Sequence, residues 1–221
     1  MLLWLGAACG TRRDEDASTV RQARDTTPAT PAPDARPVLL CFGTSLTAGM
    51  GLAPEEAFPA LLQRKVDSAG LAFRVVNAGV SGDTSAGGRR RIDWLLRQPI
   101  AVLVLELGAN DMLRGVEPVE TRSNLDAILS RLKASGAVVL LAGMRAAANL
   151  GPDYRAAFDA IFPELAEKHG VALYPFFLEG VAARPDLNQP DGLHPNAAGV
   201  AEIVRRILPH VVAALKADGR G

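Results

Sequence analysis

The sequence predicts an α/β fold on a five-stranded parallel sheet, and three observations predict it. Five short apolar runs recur along the chain, they are largely continuous rather than alternating, and helix-like segments separate them. Continuous apolar strands are the kind covered on both faces, as in a parallel sheet. Strands that alternate with helices call for an open sheet joined by right-handed crossovers.

The elements follow in order. The first strand, VLLCF (38–42), stops at Gly43, and a helix-like segment begins after the hydroxyl residues Thr44 and Ser45. The others are FRVVNA (73–78), AVLVLEL (101–107), AVVLLAG (137–143) and VALYPF (171–176). Residues 121–134 place Leu125, Ile128, Leu129 and Leu132 on one helical face, and 153–169 form another helix with a kink expected at Pro163. In the last helix Val200, Ile203, Val204, Ile207, Leu208, Val211, Val212 and Leu215 keep the 3, 4, 3, 4 spacing of an amphipathic helix, and Pro209 should bend it.

The chain of 221 residues divides at about residue 36. Residues 37–221 hold one domain with ample apolar content for a core, 48% of the whole chain being hydrophobic. The opening MLLWLGAACG has small residues before Cys9, as at the end of a bacterial lipoprotein signal, but lacks a basic start and a longer apolar run. Two expectations stand side by side: a lipidated Cys9 tethering a periplasmic protein to a membrane, or a disordered terminus with an incidental cysteine. The polar, Pro-rich stretch that follows reads as a flexible tether. Zero formal net charge gives no bulk attraction to nucleic acid, and no apolar run is long enough to span a bilayer. Cys9 and Cys41 are the only cysteines, which leaves no disulfide framework and no metal cluster. Cys41, in an apolar strand, is expected to be buried and inert.

In such sheets the binding crevice lies beyond the carboxyl ends of the strands. Gly43-Thr44-Ser45 follows the first strand, AGVSGDTS the second and GAND the third, while DGLHP precedes the final helix. Acyl transfer by a serine needs a base, a group that orients the base, and donors aimed at the oxyanion. Of three histidines, His169 ends a helix as a C-terminal cap and His210 faces away from the apolar stripe. His194 follows Asp191 by three residues, a spacing at which the carboxylate can fold back on Nδ1 and leave Nε2 free. Each piece also has a plain reading: Ser45 as a helix N-cap, Asp191 and His194 as a capping turn, Asn110 as a turn residue. Their joint placement at one sheet edge is what favours chemistry.

Four blocks, FGTSLTAG, NAGVSGDTS, LELGANDMLRG and DGLHPN, appear in the order found in the SGNH hydrolases, also called the GDSL esterase/lipase family. The chain resembles that family over about residues 37–216, and within it the bacterial arylesterase and thioesterase–lysophospholipase group. The resemblance implies a three-layer, flavodoxin-like α/β/α sandwich. It implies Ser45 as nucleophile, His194 as general base and Asp191 as its orienting carboxylate. The Ser45 and Gly82 backbone N–H groups and the Asn110 side-chain amide would form the oxyanion hole. It implies a small acyl ester or thioester as substrate and no metal or cofactor. It also makes MRAAANLG a border of the acyl pocket.

The chain departs from the family at Thr44, where an aspartate usually precedes the serine. Altered loop rigidity or pH profile is the expected effect. Glu106, inside an apolar strand, is expected to be buried and paired, with Arg145 as one partner. Asp83 and Asp111 should brace loops, and Arg89, Arg90 and Arg91 should form a solvated helix face. Beside the esterase reading stand a carbohydrate O-acetylesterase, which would reject longer acyl chains, and a non-catalytic lipid or glycan binder, to which Thr44 alone points.

Overall fold

The structure is a computed structural model and describes residues 34–219, so Cys9 and nearly all of the expected tether lie outside the described residues. Five parallel strands, β1 (Val38–Gly43), β2 (Arg74–Gly79), β3 (Val102–Leu105), β4 (Val138–Ala142) and β5 (Ala172–Tyr174), form a sheet in the order β2-β1-β3-β4-β5. The helices are α1 (Ser45–Ala48), α2 (Phe58–Ser68), α3 (Ser85–Leu95), α4 (Ala109–Leu113), α5 (Pro118–Ser135), α6 (Pro152–His169) and α7 (Ala197–Asp218). Helix α7 packs on α2 and on β3, β4 and β5, while α3, α5 and α6 pack side by side. Two helical layers thus enclose the sheet, as expected.

All five strands appear where the apolar runs lie; β1 extends one residue further, β2 is shifted by one, and β3, β4 and β5 are shorter. The third ends at Leu105; Glu106 and Leu107 stay buried yet leave the sheet. The expectation that every strand is covered on both faces fails for β2, whose residues are mostly half-buried, and for β5, where only Tyr174 is buried. They are the edge strands, and only the inner three have two neighbours. Gln63 of α2 covers part of the open β2 edge. Its amide accepts from Val75 N–H at 2.7 Å and donates to the Phe73 carbonyl at 3.0 Å, which blunts pairing with another chain. Helices α6 and α7 each continue through their internal prolines, Pro163 and Pro209.

The core is aromatic and aliphatic. Phe58 meets Phe177 edge-on at 5.1 Å on one side, and Phe158 meets Phe162 at 5.7 Å beside α6. Cys41 is buried, and desolvation raises its thiol well above the usual range, so it is inert.

Topology fixes where a ligand would sit. From β1 the chain passes through α2 to β2 on one side. It then returns through α3 to β3 on the other. The carboxyl ends of β1 and β3 therefore flank the point where strand order reverses, which is where open α/β sheets bind ligands. The register pairs Gly43 with Gly79 and Phe42 with Leu105, so the segments after β1, β2 and β3 emerge level with one another.

Candidate active site

Ser45 is not the helix cap. Thr44 takes that role: its backbone is extended and its hydroxyl accepts from Leu46 N–H at 3.3 Å. Ser45 is thereby moved to the first helical residue with its side chain free for another partner. Helix α1 closes after four residues on Gly49, whose φ of +85° suits glycine. The Ser45 hydroxyl lies 2.9 Å from His194 Nε2, across a sequence separation of 149 residues.

His194 is held by a short loop that closes on itself. Gln189 N–H donates to the His194 carbonyl at 2.7 Å, and Gly192, at φ +70°, turns the chain between them. The Gln189 amide donates to the Met50 carbonyl at 2.7 Å and the Pro195 carbonyl at 2.9 Å, tying the histidine loop to the segment after α1. Asn196 then caps α7 by accepting from Gly199 N–H. Within the loop Asp191 Oδ2 stands 2.6 Å from His194 Nδ1. Asp191 Oδ1 accepts from the Leu193 and His194 backbone amides at 2.9 and 3.0 Å. The His194 amide, then its imidazole, then the Leu193 amide hold the Asp191 carboxyl down at about 2. An ionised carboxylate only accepts. Nδ1–H must therefore donate to it, which leaves Nε2 as acceptor for the Ser45 hydroxyl.

The segments after β2 and β3 are pinned to the same place. Gly79 packs so closely on α1 that a Cβ there would meet Ala48 N at 2.3 Å and the Thr44 carbonyl at 2.8 Å. Gly82 has φ +78°, and among the described residues its N–H meets no acceptor, while its carbonyl accepts from Arg114 at 2.8 Å. The Asn110 amide, in the first turn of α4, donates to the Asp83 carbonyl at 2.8 Å. One of its two amide hydrogens remains for a ligand. Asp111 accepts from Ser85 N–H at 2.8 Å and Ser85 Oγ–H at 2.5 Å, bracing one loop against the other as expected.

Two expectations about charged residues are overturned. Arg91 is not on a solvated face, although Arg89 and Arg90 are exposed. It pairs with Asp83 at 2.7 Å, donates to the Ala78 and Gly43 carbonyls, and lies 4.0 Å from the centre of the Phe42 ring. Glu106 is not paired with Arg145, whose guanidinium sits over the Phe176 ring at 5.3 Å. Glu106 instead accepts from Thr44 N–H at 2.9 Å, Thr44 Oγ–H at 3.0 Å and Thr47 Oγ–H at 2.8 Å. Desolvation nevertheless raises its carboxyl to about 7.

The C-terminal cap of α6 is Gly170, not His169 as expected. His169 is buried, and its Nε2 meets Asp126 Oδ1 at 2.6 Å. His210 is exposed with its ring 5.1 Å from that of Tyr174. Among the described residues no cluster of three His, Cys, Asp or Glu side chains could hold a metal, and no helix is long and apolar enough to cross a membrane. Sequence reasoning missed Gln189 and Thr47, and it gave Arg91 the wrong surroundings. No local pattern marks Gln189, because its partner Met50 comes from a loop 139 residues away in sequence.

The model of the GDSL-like Lipase/Acylhydrolase family matches residues 41–201. The chain is 48% identical over 160 residues to the thioesterase 1/protease 1/lysophospholipase L1 of Escherichia coli, covering 72% of this chain and 75% of that protein. It is 41% identical over 172 residues to the esterase TesA of Pseudomonas aeruginosa, covering 77% and 86%. Among solved structures, AlinE4, an SGNH-hydrolase family esterase, superposes with a TM-score of 0.69 at 49% identity, covering 81% of this chain and 97% of that one.

Proposed function

Because the chain belongs to the GDSL-like Lipase/Acylhydrolase family, we propose how its residues carry out the ester hydrolysis that this membership brings. The chain is a serine esterase, and Ser45 is its nucleophile. The Ser45 hydroxyl attacks the acyl carbonyl of a carboxylic ester or thioester while His194 Nε2 takes its proton. Asp191 keeps the imidazole in the tautomer with Nδ1–H and stabilises the imidazolium that forms. The Ser45 and Gly82 amides and the free Asn110 amide hydrogen receive the oxyanion. Collapse expels the alcohol or thiol, which His194 protonates. Water, deprotonated by the same nitrogen, then releases the acid.

The single observation that carries this reading is the unbroken chain from Ser45 Oγ to His194 Nε2 at 2.9 Å and from His194 Nδ1 to Asp191 at 2.6 Å. A non-catalytic binder would have no use for that alignment. Thr44, the residue that hinted at one, is occupied as helix cap and as donor to Glu106. The test is turnover of p-nitrophenyl acetate, butyrate and octanoate and of acyl-CoA thioesters, with fluorophosphonate labelling alongside. Ser45→Ala should lose both turnover, by about 10³-fold or more, and the label. Wild-type turnover by that variant would reject the assignment, and strict preference for acetate would favour an O-acetylesterase. A periplasmic location with Cys9 lipidated completes the proposal, and mass spectrometry of the native N-terminus tests it.

A further inference from the structure

The motif GTSLT contains four residues besides the serine, and Glu106 accounts for three of them. Gly43 has no room for a side chain: a Cβ there would meet Thr47 Oγ1 at 2.1 Å and Glu106 Oε2 at 2.5 Å. Thr44 gives Glu106 both its N–H and its hydroxyl, and Thr47 gives its hydroxyl. The two threonines stand on either side of Ser45, and both are fully buried. One carboxyl group from the end of β3 thus grips the β1–α1 junction immediately before the serine and again two residues after it. Among the described residues the charge whose field reaches Glu106 is Arg91 of α3, itself paired with Asp83; β1 and α1 present the glycine and the hydroxyls and amides of Thr44 and Thr47.

We propose that Glu106 is a positioning residue for catalysis, holding the Ser45 hydroxyl on line with His194 by clamping Thr44 and Thr47. The inference rests on the reading of Ser45 as nucleophile. Every donor that faces Glu106 suits an ionised carboxylate, which accepts all of them. A protonated carboxyl must place its own proton, so one threonine hydroxyl has to turn from donor to acceptor, and the clamp loosens. Burial raises this carboxyl to about 7, so the change falls inside the working pH range.

The experiment compares the full-length wild type with Glu106→Gln and Thr47→Val, reading kcat and KM for p-nitrophenyl butyrate from about pH 5 to pH 9. Glutamine keeps the shape but cannot ionise. Glu106→Gln should lower kcat by about 10-fold or more with KM within about twofold. Its acid limb should lose one ionisation, the slope of log kcat falling from about two to about one. Thr47→Val removes one donor to the anion and should move the acid limb to higher pH. A folded Glu106→Gln protein with wild-type kcat, or with lowered kcat and an unchanged acid limb, overturns the proposal. If Glu106→Gln does not fold, an unmoved acid limb in Thr47→Val overturns it. Ser45→Ala separates the two readings: if it still turns over, the nucleophile assignment fails; if it is dead while Glu106→Gln is normal, only the role of Glu106 falls.

Discussion

Asp191 meets His194 twice, with one carboxylate oxygen on the imidazole Nδ1 at 2.6 Å and the other on the His194 backbone amide at 3.0 Å. The same side chain therefore fixes both the ring and the piece of backbone that carries it. Asp191→Asn should keep the backbone half of this arrangement, because the amide oxygen can still accept from Leu193 and His194. The amide nitrogen would then face Nδ1 and force the proton onto Nε2, where it opposes the Ser45 hydroxyl. We expect kcat to fall by about 10³–10⁴-fold with an unchanged far-ultraviolet spectrum. Steady-state hydrolysis of p-nitrophenyl butyrate checks it. Since Asp191 is held at about 2, its own titration should leave no mark on the activity profile at working pH.

In the proposed mechanism Asn110 divides its amide between structure and chemistry. One hydrogen holds the Asp83 carbonyl at 2.8 Å, and the other is available to an oxyanion. Asn110→Ala removes a donor that strengthens only as charge develops on the carbonyl oxygen. It should cost about 10²–10³-fold in kcat and leave KM within a few-fold. A large rise in KM at constant kcat would show instead that the amide binds ground-state substrate.

Asp126 offers a contrast, because it joins His169 and Lys168 far from Ser45 in sequence and shares no contact with the site's residues. Its carboxyl is lowered mainly by the Lys168 hydrogen bond, with His169 adding to it. A carboxyl lowered on folding contributes stability that is present above its unfolded value, near 3.8, and is lost as pH falls through the folded value. Asp126→Asn should lower the melting temperature at pH 7 by roughly 2–4 °C, corresponding to about 1 kcal/mol for a part-exposed pair. The gap to wild type should close below about pH 4. Esterase activity per folded molecule should be unchanged, and parallel melting and kinetic measurements separate the two effects.

Much of the fold was legible because inner strands of a parallel sheet are apolar on both faces, which leaves an unmistakable run in β1, β3 and β4. The runs overestimated strand length where burial outlasts pairing. Glu106 and Leu107 are as buried as the strand before them, yet they belong to the active-site loop. The meeting of Ser45, Asp191 and His194 was legible only jointly: each block alone also reads as a cap or a turn, and their shared place at one sheet edge is what brings them together. Arg91 and Glu106 were misread for one reason. The neighbours of a buried charged residue come from distant segments, and a local pattern such as three successive arginines says only which helix they occupy, not which one turns inward.

The resemblance makes Thr44 a departure from an aspartate, and Glu106 explains what that aspartate would do here. The Thr44 hydroxyl lies 3.0 and 3.1 Å from the two Glu106 oxygens, so Thr44→Asp would set a second carboxylate against the first. Aspartate is a good helix cap and could still accept from Leu46 N–H. Two carboxylates in one buried site, however, hold a shared proton, and the loss of that last proton is pushed well above the range of either group alone. The sign follows from Glu106 itself, raised on folding from 4.5 to about 7. A carboxyl raised on folding contributes stability that is full below its unfolded value and disappears as pH rises through the folded value. In wild type that loss is complete soon after pH 7; in Thr44→Asp it should continue into the alkaline range. The variant should remain folded near pH 6, then lose roughly 5 °C or more of melting temperature relative to wild type by pH 9. Adding Glu106→Gln should remove most of that alkaline loss, because only one ionisable carboxyl remains. Melting curves of the single and double variants from pH 5 to pH 9 decide it, and a Thr44→Asp profile parallel to wild type would mean that the two side chains do not share the site.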